Sequence, residues 1–216
     1  MRIAVLGTGM VGTTVGSRLL DLGHEVWLGS RSSDSPVATA WAQAHGDAAG
    51  HGDFAATAGF GELVVNATLG LASVQALEAA GEAQLAGKVV LDIANPLDFS
   101  GGMPPAVRHD DGRSLGEQLQ QRFPAARVVK AMSTMNADLM LDPGGIATPS
   151  TTFVAGDEDD AKAQVRALLV SAGWPDEQVL DLGGIVAARG MELYLPLWLS
   201  IYGALGTPAF NIAVVR

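Results

Sequence analysis

The chain opens with a short apolar strand that runs directly into a glycine-rich turn, and no other feature restricts the possible folds as strongly. Ile3, Val5 and Leu6 form an apolar run of the kind buried in a parallel sheet, and a G-x-G-x-x-G turn follows at residues 7–12. In such a turn the first glycine permits a tight reversal, the second leaves space for a pyrophosphate, and the third lets the next helix pack against the strand. The free N–H groups of that helix then face the anion. The pattern predicts a dinucleotide-binding site.

The residues after the turn support this interpretation. Residues 11–22 carry an apolar stripe at helical spacing, Gly23 is suited to end that helix, and residues 25–29 are predicted to be a second strand. Strand, turn, helix and strand thus fit into about thirty residues, which is the size of a βαβ unit. The alternative is a tight glycine turn that binds nothing.

The end of the second strand indicates which dinucleotide is bound. Sites for NAD usually place Asp or Glu here, because a carboxylate accepts hydrogen bonds from the adenosine ribose. This chain has Ser30, Arg31 and Ser32 instead. A guanidinium can bind a 2′-phosphate in bidentate fashion and the hydroxyls can donate to it, so NADP(H) is predicted. The alternative is that Arg31 is a solvated surface residue. Asp34 is predicted to cap a helix over residues 36–45.

Composition and charge argue against several classes of function. Hydrophobic residues make up 48% of the chain and charged residues 17%, which is typical of a folded domain. The net charge of -10 disfavours nucleic-acid binding. There is no cysteine and the histidines lack metal-ligand spacing, so no metal site is predicted. No apolar stretch has membrane-spanning length, and the chain begins with a strand and not a signal peptide. A cytoplasmic protein without a membrane partner is therefore expected.

Strands and helices alternate along the rest of the chain, which predicts a doubly wound, mostly parallel α/β sheet. Further strands are predicted at residues 63–68, 88–94, 127–132, 151–155 and 179–182. Helices are predicted at residues 73–80, at residues 115–122, and from a cap at Asp157 through Leu169. Between the second strand and residue 62 the pattern is too weak to locate a third strand. Residues 99–112 are predicted to be a loop that either covers a pocket or is a passive excursion.

The character of the sequence changes after residue 184. The following segment is too apolar on all sides for a solvated helix, and Pro196 is expected to kink or restart it. We expect this segment to pack against the substrate pocket, the body of the protein or a second subunit. A homodimer is favoured over an intramolecular core helix. We therefore expect a nucleotide-binding domain over residues 1–184 and a helical cap or dimerisation segment over residues 185–216.

Several segments together resemble the NADPH-dependent deazaflavin (coenzyme F-420) reductases, a group related to the reductase domains of the STEAP metalloreductases. The resemblance is carried by residues 7–12, 29–31, 95–97, 128–131, 187–189 and 196–198. It implies a Rossmann-type domain with a small C-terminal cap, commonly dimeric, that passes a hydride between NADP(H) and a deazaflavin or flavin-like ring. Ser133 and Ser35 depart from the pattern, replacing an asparagine and a basic residue of many relatives. Differences in the acceptor pocket and in phosphate affinity are therefore expected.

The resemblance also implies roles for individual residues. It places residues 8–11 at the pyrophosphate, residues 30 and 31 at the 2′-phosphate, and Leu69, Asn95 and Met132 near the nicotinamide. Together with the glycine turn and the end of the second strand, the predicted cofactor-binding residues are Gly7, Thr8, Gly9, Met10, Val11, Gly12, Ser30, Arg31, Ser32, Thr68, Leu69, Asn95 and Met132.

Hydride transfer between two stacked rings requires positioning and exclusion of water, and no catalytic base is obligatory. No catalytic residue is identified, since there is no Tyr-x-x-x-Lys pair. Lys130 is interpreted as an ordinary strand-end lysine in preference to a proton donor or an anion partner. Two alternatives stay open, an imine or other small-molecule reductase that needs a proton donor at the acceptor, and a non-catalytic NADP(H) sensor. A roof of Leu195, Trp198 and Tyr202 over the nicotinamide favours catalysis, whereas an open nicotinamide face favours sensing.

Overall fold

The apolar runs of the chain form the strands of one large sheet in the computed structural model, which describes residues 1–215. The strands of these residues are β1 (Arg2–Leu6), β2 (Glu25–Ser30), β3 (Ala49–Asp53), β4 (Leu63–Asn66), β5 (Val89–Asp92), β6 (Leu97–Asp98), β7 (Ala106–Val107), β8 (Arg127–Ala131), β9 (Thr152–Gly156) and β10 (Val179–Asp181). Eight of them lie side by side in the order β3-β2-β1-β4-β5-β8-β9-β10. All neighbours in this sheet are parallel except β8 and β9.

Helices flank the sheet and build one core on each side of it. The α-helices of the described residues are α1 (Met10–Asp21), α2 (Pro36–His45), α3 (Phe54–Phe60), α4 (Ser73–Ala80), α5 (Glu82–Leu85), α6 (Leu115–Arg122), α7 (Ala137–Met140), α8 (Asp159–Ser171), α9 (Ala188–Leu193) and α10 (Leu195–Leu205). Side chains alternate along β1, so that Val5 packs in a core with Leu19 of α1, while Leu6 packs in a second core with Leu77 of α4. Strands buried on both faces explain the uninterrupted apolar runs of the sequence.

The sheet order confirms the predicted doubly wound, mostly parallel α/β architecture of the Rossmann type. After β3 the chain crosses to the other side of β1 and continues with β4, so the direction of winding reverses between β1 and β4. A crevice forms at the carboxyl ends of the strands at such a reversal, and ligands of this architecture bind there. The topology therefore places the end of β1 at the most probable position of a ligand site.

The third strand, which the sequence did not locate, is β3 at the edge of the sheet beside β2. Its sequence is unusual for a strand because it contains Gly50 and Gly52. A side chain at residue 50 would overlap the indole of Trp27 on β2, so glycine is needed where the aromatic ring covers the neighbouring strand. Contact with a residue on another strand, and not local strand propensity, specifies this element.

Two helix caps differ from prediction. Helix α2 is capped by Ser35, whose hydroxyl accepts a hydrogen bond from the N–H of Ala38, and not by Asp34. Helix α8 begins at Asp159 after Glu158, and Asp157 instead accepts a hydrogen bond from the N–H of Ile185 in the C-terminal segment. At α2 the backbone of the loop decides which side chain reaches the helix N–H groups, whereas the N-cap residue of α8, Glu158, forms no side-chain cap hydrogen bond.

The C-terminal segment consists of two helices with different surroundings. Helix α9 contributes three buried residues, whereas none of the residues of α10 is buried. Pro196 lies in the first turn of α10, which confirms that the helix restarts there. After α10 the chain returns to the sheet, where the N–H of Thr151 donates to the carbonyl of Ile212 at 2.8 Å. Among residues 1–215 no helix is both long enough and apolar enough to span a bilayer.

Candidate functional site

A cleft of about 830 Å³ opens at the carboxyl ends of β1, β2 and β4, as the topology predicts. We call it the first cleft. It is lined by Gly7, Thr8, Gly9, Ser30, Arg31, Ser32, Ser35, Phe54, Ala67, Thr68, Leu69, Ala72, Gln75, Ala76 and Ala79. Arg31 is the one charged side chain among these lining residues, and it is exposed. The cleft therefore presents backbone, hydroxyl groups and one cation to a ligand.

The glycine turn brings the first cleft and the N-terminus of α1 together. Gly7 has a φ of 124°, and a Cβ there would lie 2.7 Å from the carbonyl carbon of Ala67 at the end of β4. A Cβ on Gly12 would overlap the carbonyl oxygen of Gly7, so α1 can pack against the turn only through a glycine. Gly9, at the N-cap of α1, has no atom within 4 Å of a Cβ position. The open space at Gly9, in front of the first N–H groups of α1, fits a pyrophosphate.

The end of β2 supplies the polar wall of the first cleft. The Ser30 hydroxyl donates to the carbonyl of Ser32, which shapes a tight turn around Arg31. The Ser32 hydroxyl accepts from the N–H of Asp34 at 3.2 Å. Arg31 and Ser35 both line the first cleft. A guanidinium with neighbouring hydroxyl groups fits a phosphate monoester.

A second cleft of about 400 Å³ continues from the first around Leu69. Gly9, Ala67, Thr68 and Leu69 line both clefts. The other residues lining the second cleft are Met10, Val11, Gly70, Ile93, Ala94, Asn95, Leu97, Ser133, Met135, Asn136, Ala137, Met140, Leu195 and Trp198. Residues of α10 thus form one wall, and the segments that follow β4, β5 and β8 form the other walls. The lining is mostly apolar, and none of its residues has a side chain that titrates near neutral pH.

Three polar atoms beside the second cleft have no hydrogen-bond partner within the described part of the chain. They are Oδ1 of Asn95, Oγ of Ser133 and Nε1 of Trp198, and each is buried. The amide nitrogen of Asn95 is satisfied, since it donates to the carbonyl of Ser133 at 2.7 Å. A buried polar group without a partner costs about 1–3 kcal/mol. Such groups beside a cleft fit a site that is completed by a ligand with polar substituents.

A group of three buried charges lies behind the wall of the second cleft. We call Asp92, Lys130 and Glu192 the ion triad; all three side chains are fully buried. Nζ of Lys130 lies 2.9 Å from Oδ2 of Asp92 and 3.0 Å from Oε1 of Glu192, and it donates to the carbonyl of Ala94. Burial alone would lower the pKa of Lys130, but the two carboxylates outweigh it and hold this pKa above its ordinary value. Lys130 therefore stays charged although it is fully buried, whereas the sequence predicts an ordinary lysine at the end of a strand.

The clefts gather most of the predicted site residues. All thirteen predicted cofactor-binding residues line one cleft or the other, except Gly12 and Met132. Gly12 packs beneath the turn. Met132 is fully buried and has a φ of 56°, so the chain turns there and brings Ser133, not Met132, to the cleft. Of the predicted roof, Leu195 and Trp198 line the second cleft. Tyr202 does not line it but stacks on Trp198, with the centroids of the two rings 5.6 Å apart.

Other lining residues were not predicted, because their position depends on elements that the sequence does not reveal. Phe54 reaches the first cleft from the start of α3, directly after the unrecognised strand β3. Met135, Asn136 and Met140 belong to the turn and short helix α7 after β8. The loop of residues 99–112 lines neither cleft. It contains β7, which pairs with β6, and His109, whose Nε2 lies 2.9 Å from Oε2 of Glu192.

Comparison with known proteins agrees with this geometry. A family model described as NADP oxidoreductase, coenzyme F-420-dependent, matches residues 2–96. The solved structure of a candidate F-420-dependent NADP-reductase from Arthrobacter sp. FB24 is 50% identical, covers 100% of both chains and superposes with a TM-score of 0.93. The metalloreductase STEAP3 of Rattus norvegicus is 31% identical over 119 residues, which make up 53% of this chain but only 22% of that protein.

A more distant structural neighbour shows the fold alone. A reductive aminase from Aspergillus terreus, solved in complex with NADPH and ethyl levulinate, is 21% identical with a TM-score of 0.64. The alignment covers 95% of this chain and 62% of the aminase.

Replacing Gly9 by valine is expected to abolish binding of both NADPH and NADH without unfolding the protein. The backbone at Gly9 is extended (φ -73°, ψ 177°), and an added Cβ has no protein atom within 4 Å, so a valine side chain would extend into the space in front of α1. Fluorescence titration should show a loss of affinity on the order of 100-fold or more, and the melting temperature should stay within about 2 °C of the wild type. Gly101→Val, at an equally open position in a loop, is the control. Wild-type affinity in Gly9→Val would show that the turn is structural only.

Proposed function

The chain belongs to the family of coenzyme F-420-dependent NADP oxidoreductases, and on this basis we propose that it transfers a hydride between NADP(H) and a deazaflavin or flavin-like acceptor. The two joined clefts support this assignment. The first cleft is polar at one end, and the second is mostly apolar. A dinucleotide would extend from Arg31 past Gly9 and reach the second cleft near Leu69.

Each part of the first cleft has a group suited to one part of NADP(H). The N–H groups at the start of α1 would hold the pyrophosphate, in the space that Gly9 leaves open. Arg31 and the hydroxyl group of Ser32 would hold the 2′-phosphate, while the Ser30 hydroxyl, which donates to the carbonyl of Ser32, would shape the turn that carries them. Thr68 would line the path between the clefts, and its hydroxyl is oriented by donation to Oδ1 of Asn66 at 2.7 Å.

The lining of the second cleft is the observation that carries the proposal. Reduction of a carbonyl or imine normally needs a side chain that donates a proton at the reacting centre. The second cleft offers none, because its polar side chains are amides, hydroxyls and the indole N–H. NADPH held in the first cleft would supply a hydride to the acceptor ring and become NADP⁺, and a proton taken up from solvent after the transfer would complete the two-electron reduction. The residues of the chain need only orient the acceptor and exclude water.

The proposed activity is tested by mixing the protein with NADPH and one acceptor at a time: deazaflavin, FMN, FAD, a ferric chelate and a cyclic imine. Absorbance follows the oxidation of the nicotinamide. We expect turnover with the deazaflavin or a flavin and none with the imine, because the second cleft lacks a proton donor. Turnover of the imine alone would indicate a small-molecule reductase. Tight NADPH binding without turnover of any acceptor would indicate a sensor. Either result would contradict the proposal.

Arg31→Glu is expected to lower the affinity for NADPH on the order of 100-fold and to change the affinity for NADH by about twofold at most. The reason is that the new carboxylate lies beside the 2′-phosphate, which NADH lacks, and repels it. Isothermal titration with each coenzyme measures the two affinities. Arg113→Glu is the matched control, since Arg113 lines neither cleft. An equal loss for both coenzymes would refute the assignment of the 2′-phosphate to Arg31.

We also propose that residues 185–216 act as a cap and dimerisation segment on a nucleotide-binding domain of residues 1–184. Helix α10 leaves Leu197, Tyr202 and Leu205 between 42% and 57% exposed, although its composition is that of a buried helix. Apolar side chains in this number on one helix are usually covered in the functional assembly. A second copy of the chain would cover them, since a two-fold axis can bring α10 against itself.

The double variant Leu197→Glu/Leu205→Glu is expected to be monomeric, because like charges would face each other across the proposed interface. Analytical ultracentrifugation should give twice the chain mass of 22.2 kDa for the wild type and the single mass for the variant. Val37→Glu changes an equally exposed apolar residue on α2 and should remain dimeric. A wild-type protein that sediments as a monomer at all concentrations would contradict the proposed dimer.

A further inference from the structure

The ion triad of Asp92, Lys130 and Glu192 joins three segments that are far apart in the chain. Asp92 ends β5, Lys130 lies near the end of β8, and Glu192 lies on α9. No other contact in the described residues brings buried charges from these three elements together. The Lys130 ammonium reaches both carboxylates and also the carbonyl of Ala94, which lines the second cleft. The charge therefore lies directly behind the cleft wall.

Each member of the ion triad is followed, three residues later, by a residue of the second cleft. Asp92 precedes Asn95, Lys130 precedes Ser133, and Glu192 precedes Leu195. Three walls of the cleft thus begin immediately after the three charged residues. Any change in the separation of the charges would be passed to the walls through very short lengths of chain.

Neighbouring polar groups hold both carboxylates in place. Oδ1 of Asp92 accepts hydrogen bonds from Nδ2 of Asn66 at 2.8 Å and from the N–H of Ala94 at 3.2 Å. The carboxylate of Glu192 accepts from the N–H groups of Leu115 and Gly116, at the start of α6. Every oxygen of the two carboxylates therefore has a defined partner, which fixes their orientation.

Stability alone does not account for a buried group of this kind. Desolvation of three charges is expensive, and replacing a buried ion pair by apolar residues is often neutral or stabilising. What a buried, fully hydrogen-bonded set of charges does provide is a unique geometry, because alternative arrangements leave a charge unpaired. The ion triad lies where three walls of the second cleft begin, so the geometry that it fixes is that of the cleft.

We propose that Lys130 is a positioning residue that sets the shape of the second cleft by holding its β5, β8 and α9–α10 walls together through Asp92 and Glu192. The identity of the acceptor that binds in the cleft rests on the proposed function, but the role of Lys130 in shaping the cleft does not. The wall formed by Leu195 and Trp198 depends on this link most. Helix α10 has no buried residue of its own, and Glu192 is the buried polar anchor of the preceding helix.

The test is amide hydrogen exchange on the full chain without acceptor, comparing the wild type with Asp92→Asn/Lys130→Met/Glu192→Gln. This variant removes all three charges and leaves none unpaired, so it is expected to fold. Exchange should become faster, on the order of tenfold, in residues 93–97, 132–136 and 195–205, and stay unchanged around β1 and α1. Glu192→Gln alone keeps the pair of Asp92 and Lys130, and should loosen residues 195–205 only.

Lys162→Met is the matched control. Lys162 is also largely buried between two carboxylates, 2.9 Å from Asp181 and 3.1 Å from Asp159, but it lies away from both clefts. Its replacement should leave exchange in the three walls unchanged. The proposal is overturned if the triple variant and Glu192→Gln exchange like the wild type in all three walls, or if exchange rises equally throughout the chain.

Kinetics and coenzyme binding separate this proposal from the proposed function. With the acceptor that the wild type reduces, the triple variant should show a KM for acceptor raised on the order of tenfold, while the affinity for NADPH changes by about twofold at most. An unchanged acceptor KM in a variant with loosened walls would overturn the positioning role. A wild type that reduces no acceptor would refute the proposed function, and the exchange measurement would still decide the role of Lys130.

Discussion

The close approach of β1, α1 and the end of β4 is the physical constraint on which the rest of the site depends. At Gly7 and at Gly12 a single added carbon would collide with backbone, of Ala67 in one case and of Gly7 itself in the other. Because nothing larger than hydrogen fits, the first turn of α1 opens at the reversal of the sheet and faces the crevice. The anion site and the position of the second cleft both follow from this packing.

The second half of the site has a different physical basis. Hydride transfer depends on the separation of two rings, so walls that come from opposite ends of the chain need a fixed relation to each other. Apolar packing does little to fix the position of α10, because none of its residues is buried. Buried charge is suited to the task, since an ammonium between two carboxylates has one favourable arrangement, whereas apolar surfaces can slide. In the proposed site the glycine turn would position the coenzyme, and the ion triad would set the shape of the cleft beside it.

The sequence predicts those features that depend on neighbouring residues. The glycine turn, the strand that precedes it and the polar end of β2 are local patterns with a direct physical meaning, and the structure places Arg31 in the first cleft. Features that depend on distant partners were missed. The strand β3 depends on Trp27 of β2, and the burial of Lys130 depends on Asp92 and Glu192. Met132 was predicted near the nicotinamide but lines neither cleft, because the chain turns at this residue with a positive φ.

The acidity of the chain and the anionic nature of its proposed coenzyme are compatible because electrostatic forces in water are short-ranged. The net charge of -10 is spread over the whole surface, and at physiological ionic strength its field decays over about 8 Å. The lining of the first cleft presents Arg31 and the start of α1, and none of the lining residues is acidic. Local donors therefore decide affinity, while the overall charge acts on the rate of approach. A small number of well-placed donors suffices for a polyanionic ligand when the lining of its cleft holds no competing carboxylate.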